Sequence, residues 1–85
     1  MLEKAIDDYI VYLTVEKGAS RNTIEAYSND VRKLADYLSG EKVVSWNQVD
    51  SYHIRGYLAH MQQEAVTNTT RARNVAALKS FFRFL

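Results

Sequence analysis

Apolar residues in this chain recur at intervals of three and four and nowhere alternate for long with period two, so the pattern predicts helices and no sheet. Leu2, Ile6, Tyr9, Ile10 and Leu13 form a first stripe, followed by Gly18. Glycine is at home in the left-handed turn that ends helices, so the stripe predicts a helix over 2–17. A second stripe, Ile24, Tyr27, Val31, Leu34 and Leu38, predicts a helix over 21–39 that ends at Gly40. Ser20 precedes it, and its hydroxyl can accept from a backbone N–H left unpaired in the first turn. Residues 41–44 read as a loop with some extended character. Ser45–Gln48 matches a capping box and predicts a short helical turn. Asp50 then caps a third main helix carrying Ile54, Tyr57, Leu58 and Met61, with Gly56 inside it. A glycine there costs about 1 kcal/mol relative to alanine, tolerable if another helix packs close. Thr67 caps a last helix whose apolar face is expected to be Val75, Leu78, Phe82 and Leu85, with Phe81 at the edge. The expected fold class is all-α, a bundle of four main helices.

The totals sharpen this only a little. A chain of 85 residues makes one domain, 1–85, with a modest core. Its 47% hydrophobic and 25% charged residues are ordinary for a globular protein. With no cysteine there are no disulfides and no thiolate zinc sites, which accords with the cytoplasm. The opening "MLEKAIDDYI" places a charge every few residues, so neither a signal peptide nor a membrane anchor is expected. The net charge of +1 says nothing by itself, but its distribution does. Residues 67–85 hold Arg71, Arg73, Lys79 and Arg83 and no acid, a charge of +4, while the other 66 residues hold seven basic against all ten acidic side chains, a balance of −3. Such separation can mark a binding face.

Catalysis finds no support in the residues. His53 and His60 lie seven apart without a patterned third ligand, so no metal and no cofactor is expected. The carboxylates are dispersed, no glycine-rich phosphate loop exists, and no Ser–His–Asp arrangement can be read. Two helix starts are more informative. "SRNT", Ser20 to Thr23, and "TNTTRAR", Thr67 to Arg73, each combine hydroxyls, an amide and arginine. Helix N-termini present free N–H groups and a dipole that favours anions. Ser, Thr, Asn and Arg contact phosphates, and Asn and Arg also read base edges. The candidate DNA-binding residues are therefore Ser20, Arg21, Asn22, Thr23, Thr67, Asn68, Thr69, Thr70, Arg73 and Lys79. Steps of about 100° per residue put Thr69, Arg73, Ala76 and Ser80 on one exposed strip, with Lys79 and Arg83 beside it. Arg71 falls on the core side, its stem packed and its head reaching for water.

Three stretches in order, "YL..EKGAS.NTIEAY..D...L..YL" from Tyr12 to Leu38, "YL..M" from Tyr57 to Met61 and "VT..T.AR..AALK.FF.FL" from Val66 to Leu85, resemble the N-terminal core-binding (SAM-like) domain of tyrosine recombinases, or phage integrases, especially the Xer-like members. The resemblance covers almost the whole chain. It implies a four-helix domain on one side of duplex DNA, with a catalytic domain, C-terminal to residue 85, closing a C-shaped clamp from the other side. It also implies contacts with other protomers of the recombinase. Carried over by position, it points to Ser20, Asn22 and Thr23 on one helix and to Thr67, Thr70, Arg73 and Lys79 on another, all facing the major groove. Ala76 departs from the pattern, where serine is common, and so does Arg71, where an apolar residue is usual. The Arg–Lys–His–Arg–His/Trp set and the nucleophilic tyrosine of the family would belong to the missing domain, and none of the six tyrosines here fits that role. The last helix runs on without a stop signal, as expected of a chain cut near an interdomain linker.

Duplex DNA binding, in a fragment that is not itself an enzyme, is thus the expectation. A helical protein–protein interaction module is the alternative, and a complete small hydrolase a more distant one. Arg73 carries the sharpest expectation: as an exposed DNA contact, its removal should change stability by no more than about 0.5 kcal/mol while weakening DNA binding by about 1–3 kcal/mol.

Overall fold

The computed structural model of the chain describes residues 2–64 and 66–85. It contains four helices, α1 (Leu2–Val15), α2 (Arg21–Gly40), α3 (Ser51–Gln63) and α4 (Asn68–Phe84), with a 3-10 turn at Trp46–Gln48 before α3. Among the described residues there is no strand. Each helix start that the sequence marked is capped as expected. The Ser20 hydroxyl accepts from the Thr23 N–H at 3.2 Å, Thr67 from Thr70 at 3.1 Å, and the Asp50 carboxylate from Tyr52 and His53. Ser45 and Gln48 close the capping box around the 3-10 turn.

The helix ends follow a less obvious logic. The first helix stops at Val15 rather than at residue 17, and Gly18 takes the left-handed conformation at φ +57°. Gly40 is still helical. The left-handed residue after α2 is Lys42, at φ 64°. The Val43 N–H then reaches the Leu38 carbonyl at 2.9 Å and the Lys42 N–H the Ser39 carbonyl at 3.0 Å, the paired bonds of a Schellman turn. Lysine in that conformation costs about 1–2 kcal/mol. Burial of Val43 beside Leu38 helps to hold the turn.

α2 is the hub, with α1 and α4 packed along it and α3 touching it more lightly. Ile6, Tyr9, Val31, Leu34, Leu38, Tyr57 and Phe81 form the buried centre. Trp46 seals one end by donating its indole N–H to the Leu2 carbonyl at 3.0 Å and setting its ring edge-on to Phe81. At Gly56 another helix does pack close: a Cβ there would come 2.6 Å from the Tyr37 hydroxyl.

On α4 the apolar face is turned from the expected one. Asn74, Ala77, Leu78 and Phe81 are buried, Val75 and Phe82 are half-buried, and Leu85 is 53% exposed. The sequence pattern offered two adjoining apolar stripes, and the docking of α4 against α1 and α2 selects the one through Phe81.

Tyr57 supplies a test of this packing. Burial, reinforced by the Asp30 and then the Glu64 carboxylate, pushes its phenol up to about 12, whereas an unfolded tyrosine ionises near ~10. The folded value is the higher one, so the stabilisation is complete below about pH 10 and is lost as the pH rises toward 12. The loss over that window is roughly 2–3 kcal/mol. Urea denaturation across this range should show it, and Tyr57→Phe should shrink it. An equal alkaline loss in both proteins would contradict the assignment to this phenol.

Candidate nucleic-acid interface

The two polar helix starts are built alike. At α2 the Ser20 hydroxyl donates to the Thr23 hydroxyl at 2.9 Å while accepting from the Thr23 N–H. At α4 the Thr67 hydroxyl donates to the Thr70 hydroxyl at 3.0 Å while accepting from the Thr70 N–H. In both, the proton of the second hydroxyl (Thr23, Thr70) stays available for an outside acceptor. Arg21, Asn22, Asn68 and Thr69 are exposed around these caps, and Arg21 reaches Glu25 only at 3.8 Å. Neither α2 nor α4 carries an acid in its first turn. α3 is different, because the Asp50 carboxylate sits on its N-terminal N–H groups. The positive ends of α2 and α4 are therefore capped by neutral hydroxyls and remain attractive to an anion.

The strip along α4 is not the expected one. Exposed side chains run through Thr69, Ala72, Ala76, Lys79 and Arg83. Two small residues lie at its centre and two cations toward its far end. Ser80 turns away from it and accepts the Tyr9 hydroxyl at 2.7 Å. Arg73 stays exposed at the flank of the strip, but its head is engaged. Its Nε and Nη2 donate to the two carboxylate oxygens of Asp30 at 2.9 and 2.8 Å, a bidentate pair. Asp30 is fully buried and the Arg73 side chain is 41% exposed. The hydrogen bonds to Asp30 push the arginine's pKa further up. Arg73 is thus a brace between α2 and α4, so a loss of stability, and not an untouched fold, is the expected result of its removal.

At about 1.5 Å per residue, Arg73 lies about 9 Å along its helix from Thr67 and Asp30 about 15 Å from Ser20. The brace therefore joins the halves of α2 and α4 that carry the polar starts. Sequence reasoning missed Asp30 because it lies at the margin of the α2 stripe. The one available signal was that Asp30 and Arg73 are both positions of the motifs quoted above.

Lys79 is exposed as expected, beside an apolar groove lined by Ile54, Leu58, Val75, Leu78 and Phe82. Arg71 is half-buried, but its Nε is buried without a hydrogen-bond partner, so its polar head does not wholly reach water as expected. The histidines have structural contacts. His53 Nδ1 accepts from the Asp50 N–H at 3.3 Å, and the His60 ring lies 5.4 Å from that of Tyr37. Among the described residues no group of three or more His, Cys, Asp or Glu is placed to hold a metal ion. Among the described residues no helix is long and apolar enough to cross a membrane.

The profile of the family described as phage integrase, N-terminal SAM-like domain, matches residues 6–85. The chain is similar to the tyrosine recombinase XerC of Pelotomaculum thermopropionicum, with 39% identity over 85 residues that take in 94% of this chain and 28% of that protein. It is also similar to the tyrosine recombinase XerD of Listeria monocytogenes, with 37% identity over 81 residues, 94% of this chain and 27% of that protein. A third relative, XerD of Oceanobacillus iheyensis, is 30% identical over 86 residues, all of this chain and 29% of that protein. The chain thus spans somewhat over a quarter of the length of these relatives. No solved structure matches it.

Proposed function

This chain belongs to the family of phage integrase N-terminal, SAM-like domains, and from that membership we propose that it binds duplex DNA as the N-terminal half of a clamp in a site-specific tyrosine recombinase. The observation that carries the reading is the pair of hydroxyl-capped starts of α2 and α4, alike in geometry and free of acid in their first turns. Phosphate oxygens would accept from Thr23, Thr70 and the exposed first-turn N–H groups. Asn22, Asn68 and Thr69 would lie nearest the bases, and the small side chains of Ala72 and Ala76 would let α4 settle close to the groove. In this reading the domain spans 1–85. Strand cleavage and rejoining reside in a catalytic domain beyond residue 85, in a protein of the cytoplasm whose other partners are further protomers.

Binding of the isolated domain should be weak, because only one side of the clamp is present, and it should depend on salt. With the Arg73 charge already compensated by Asp30, about three or four phosphates are within reach of cations and helix ends. The slope of log K against log[salt] is then roughly −2.7 to −3.6. Fluorescence anisotropy of a labelled duplex at several salt concentrations checks it. Binding that is absent at low salt would reject the reading. It would favour a protein-contact module instead, for which Val11 and Val15 on α1, 60% and 73% exposed, offer apolar surface.

A further inference from the structure

Arg71 is the basic residue of α4 that neither the strip nor the brace employs. Together with Arg55, Leu58, Ala59, Gln62 and Val75 it lines a groove of about 390 Å³ between α3 and α4. Its Nε–H is buried and meets no acceptor. Buried N–H groups are nearly always partnered by protein, water or an ion, and an acceptor entering the groove would meet this one once the head turns toward it. Arg55 is held at the same groove by Ser51, whose carbonyl accepts from Nε at 3.3 Å and whose hydroxyl accepts from Nη2 at 3.1 Å. Two of its five N–H donors are used in this way and the others stay open. Gln62 adds an amide. No carboxylate lines the groove. Two guanidinium groups sharing it repel one another, and an anion between them adds two attractions at shorter range that outweigh the repulsion.

We infer that the Arg55–Arg71 groove is a phosphate-binding site, occupied by a phosphodiester of the DNA backbone as a contact additional to the two helix starts. The inference rests on the DNA-binding reading. Guanidinium forks match the oxygens of a phosphate in pairs. Arg71 itself stands one turn into α4 from the Thr67 cap, its backbone N–H donating to the Thr67 carbonyl at 2.9 Å. A strand that meets Thr67 and Thr70 would have Arg71 one helical turn away.

Arg55→Gln and Arg71→Leu test it in two arms. The first measures thermal melting with inorganic phosphate against chloride at equal ionic strength. Phosphate should raise the Tm of the parent domain by a few degrees and leave both variants unmoved. A rise of equal size in all three is general salt stabilisation and overturns the site. The second arm measures duplex binding against salt. Each variant should bind all sequences several-fold more weakly, with the slope reduced by about one. Variants that keep the parent's slope and affinity overturn the assignment to DNA, even if phosphate alone binds. A parent that shows no salt-dependent binding at all rejects the DNA reading, while the melting arm still decides the anion site. Arg55 is exposed, so its variant folds. Arg71→Leu removes an unpaired buried donor, and circular dichroism checks that its helices are kept.

Discussion

Arg73→Ala will lower the stability of the domain by about 3 kcal/mol, measured by urea denaturation at neutral pH. The pair it breaks is unequal. Asp30 is fully buried, whereas the arginine is 41% exposed at its side chain. Removing the arginine leaves a carboxylate in the interior without its two charge-assisted hydrogen bonds, and that uncompensated charge is the source of the loss. The exposed end of the pair lets some water in, which places the figure at the low end for a broken buried ion pair. Arg73→Lys should recover only part of the loss, because an ammonium cannot reproduce the flat two-point contact at 2.8 and 2.9 Å. A variant that unfolds at the parent's urea concentration would show that solvent substitutes freely for the guanidinium. The same result bears on DNA binding. Weakened binding by Arg73→Ala would report displaced helices as well as any lost contact, so binding must be compared at equal folded fraction.

Phe81→Ala will cost about 4 kcal/mol, and Phe82→Ala about 1–2 kcal/mol. The two residues are neighbours with the same side chain, so the difference isolates the rotation of α4 about its axis. Phe81 has no exposed surface and sets its ring against Tyr9 at 5.2 Å and Trp46 at 4.7 Å, both edge-on. Truncation would open a cavity among rings that are themselves pinned. Tyr9 is tied to Ser80 and Trp46 to the Leu2 carbonyl, so neither is free to collapse into the space. Phe82 is half-buried and borders the shallow groove beside Lys79, where water can replace part of what is lost. Chemical denaturation of the two variants measures both values. Equal losses, or the reverse order, would mean that α4 sits with the face through Phe82 inward, as its spacing alone suggested.

What the sequence determined by itself is the local part of this structure. Ser20, Asp50 and Thr67 mark helix starts because a cap is a hydrogen bond across two or three residues, and its geometry is set by those residues alone. The four helices follow from stripes whose period is a property of a single segment. The two polar starts proposed as phosphate sites were legible for the same reason. Only the tertiary structure decided which flank of each helix turns inward. On α4 the stripes through Phe81 and Phe82 are both apolar, and the choice between them lies with α1 and α2, which α4 cannot specify on its own. The fate of Arg73 and Ser80 follows from that choice. Placed at the flank of the buried face by that rotation, they meet Asp30, 43 residues away, and Tyr9, 71 residues away. Arg73 keeps 41% of its side chain exposed while its head is held by Asp30. A spacing of 3.6 residues leaves the boundary between buried and exposed undefined by about one residue on either side, and there a charge reads as surface until a partner from another helix is brought against it.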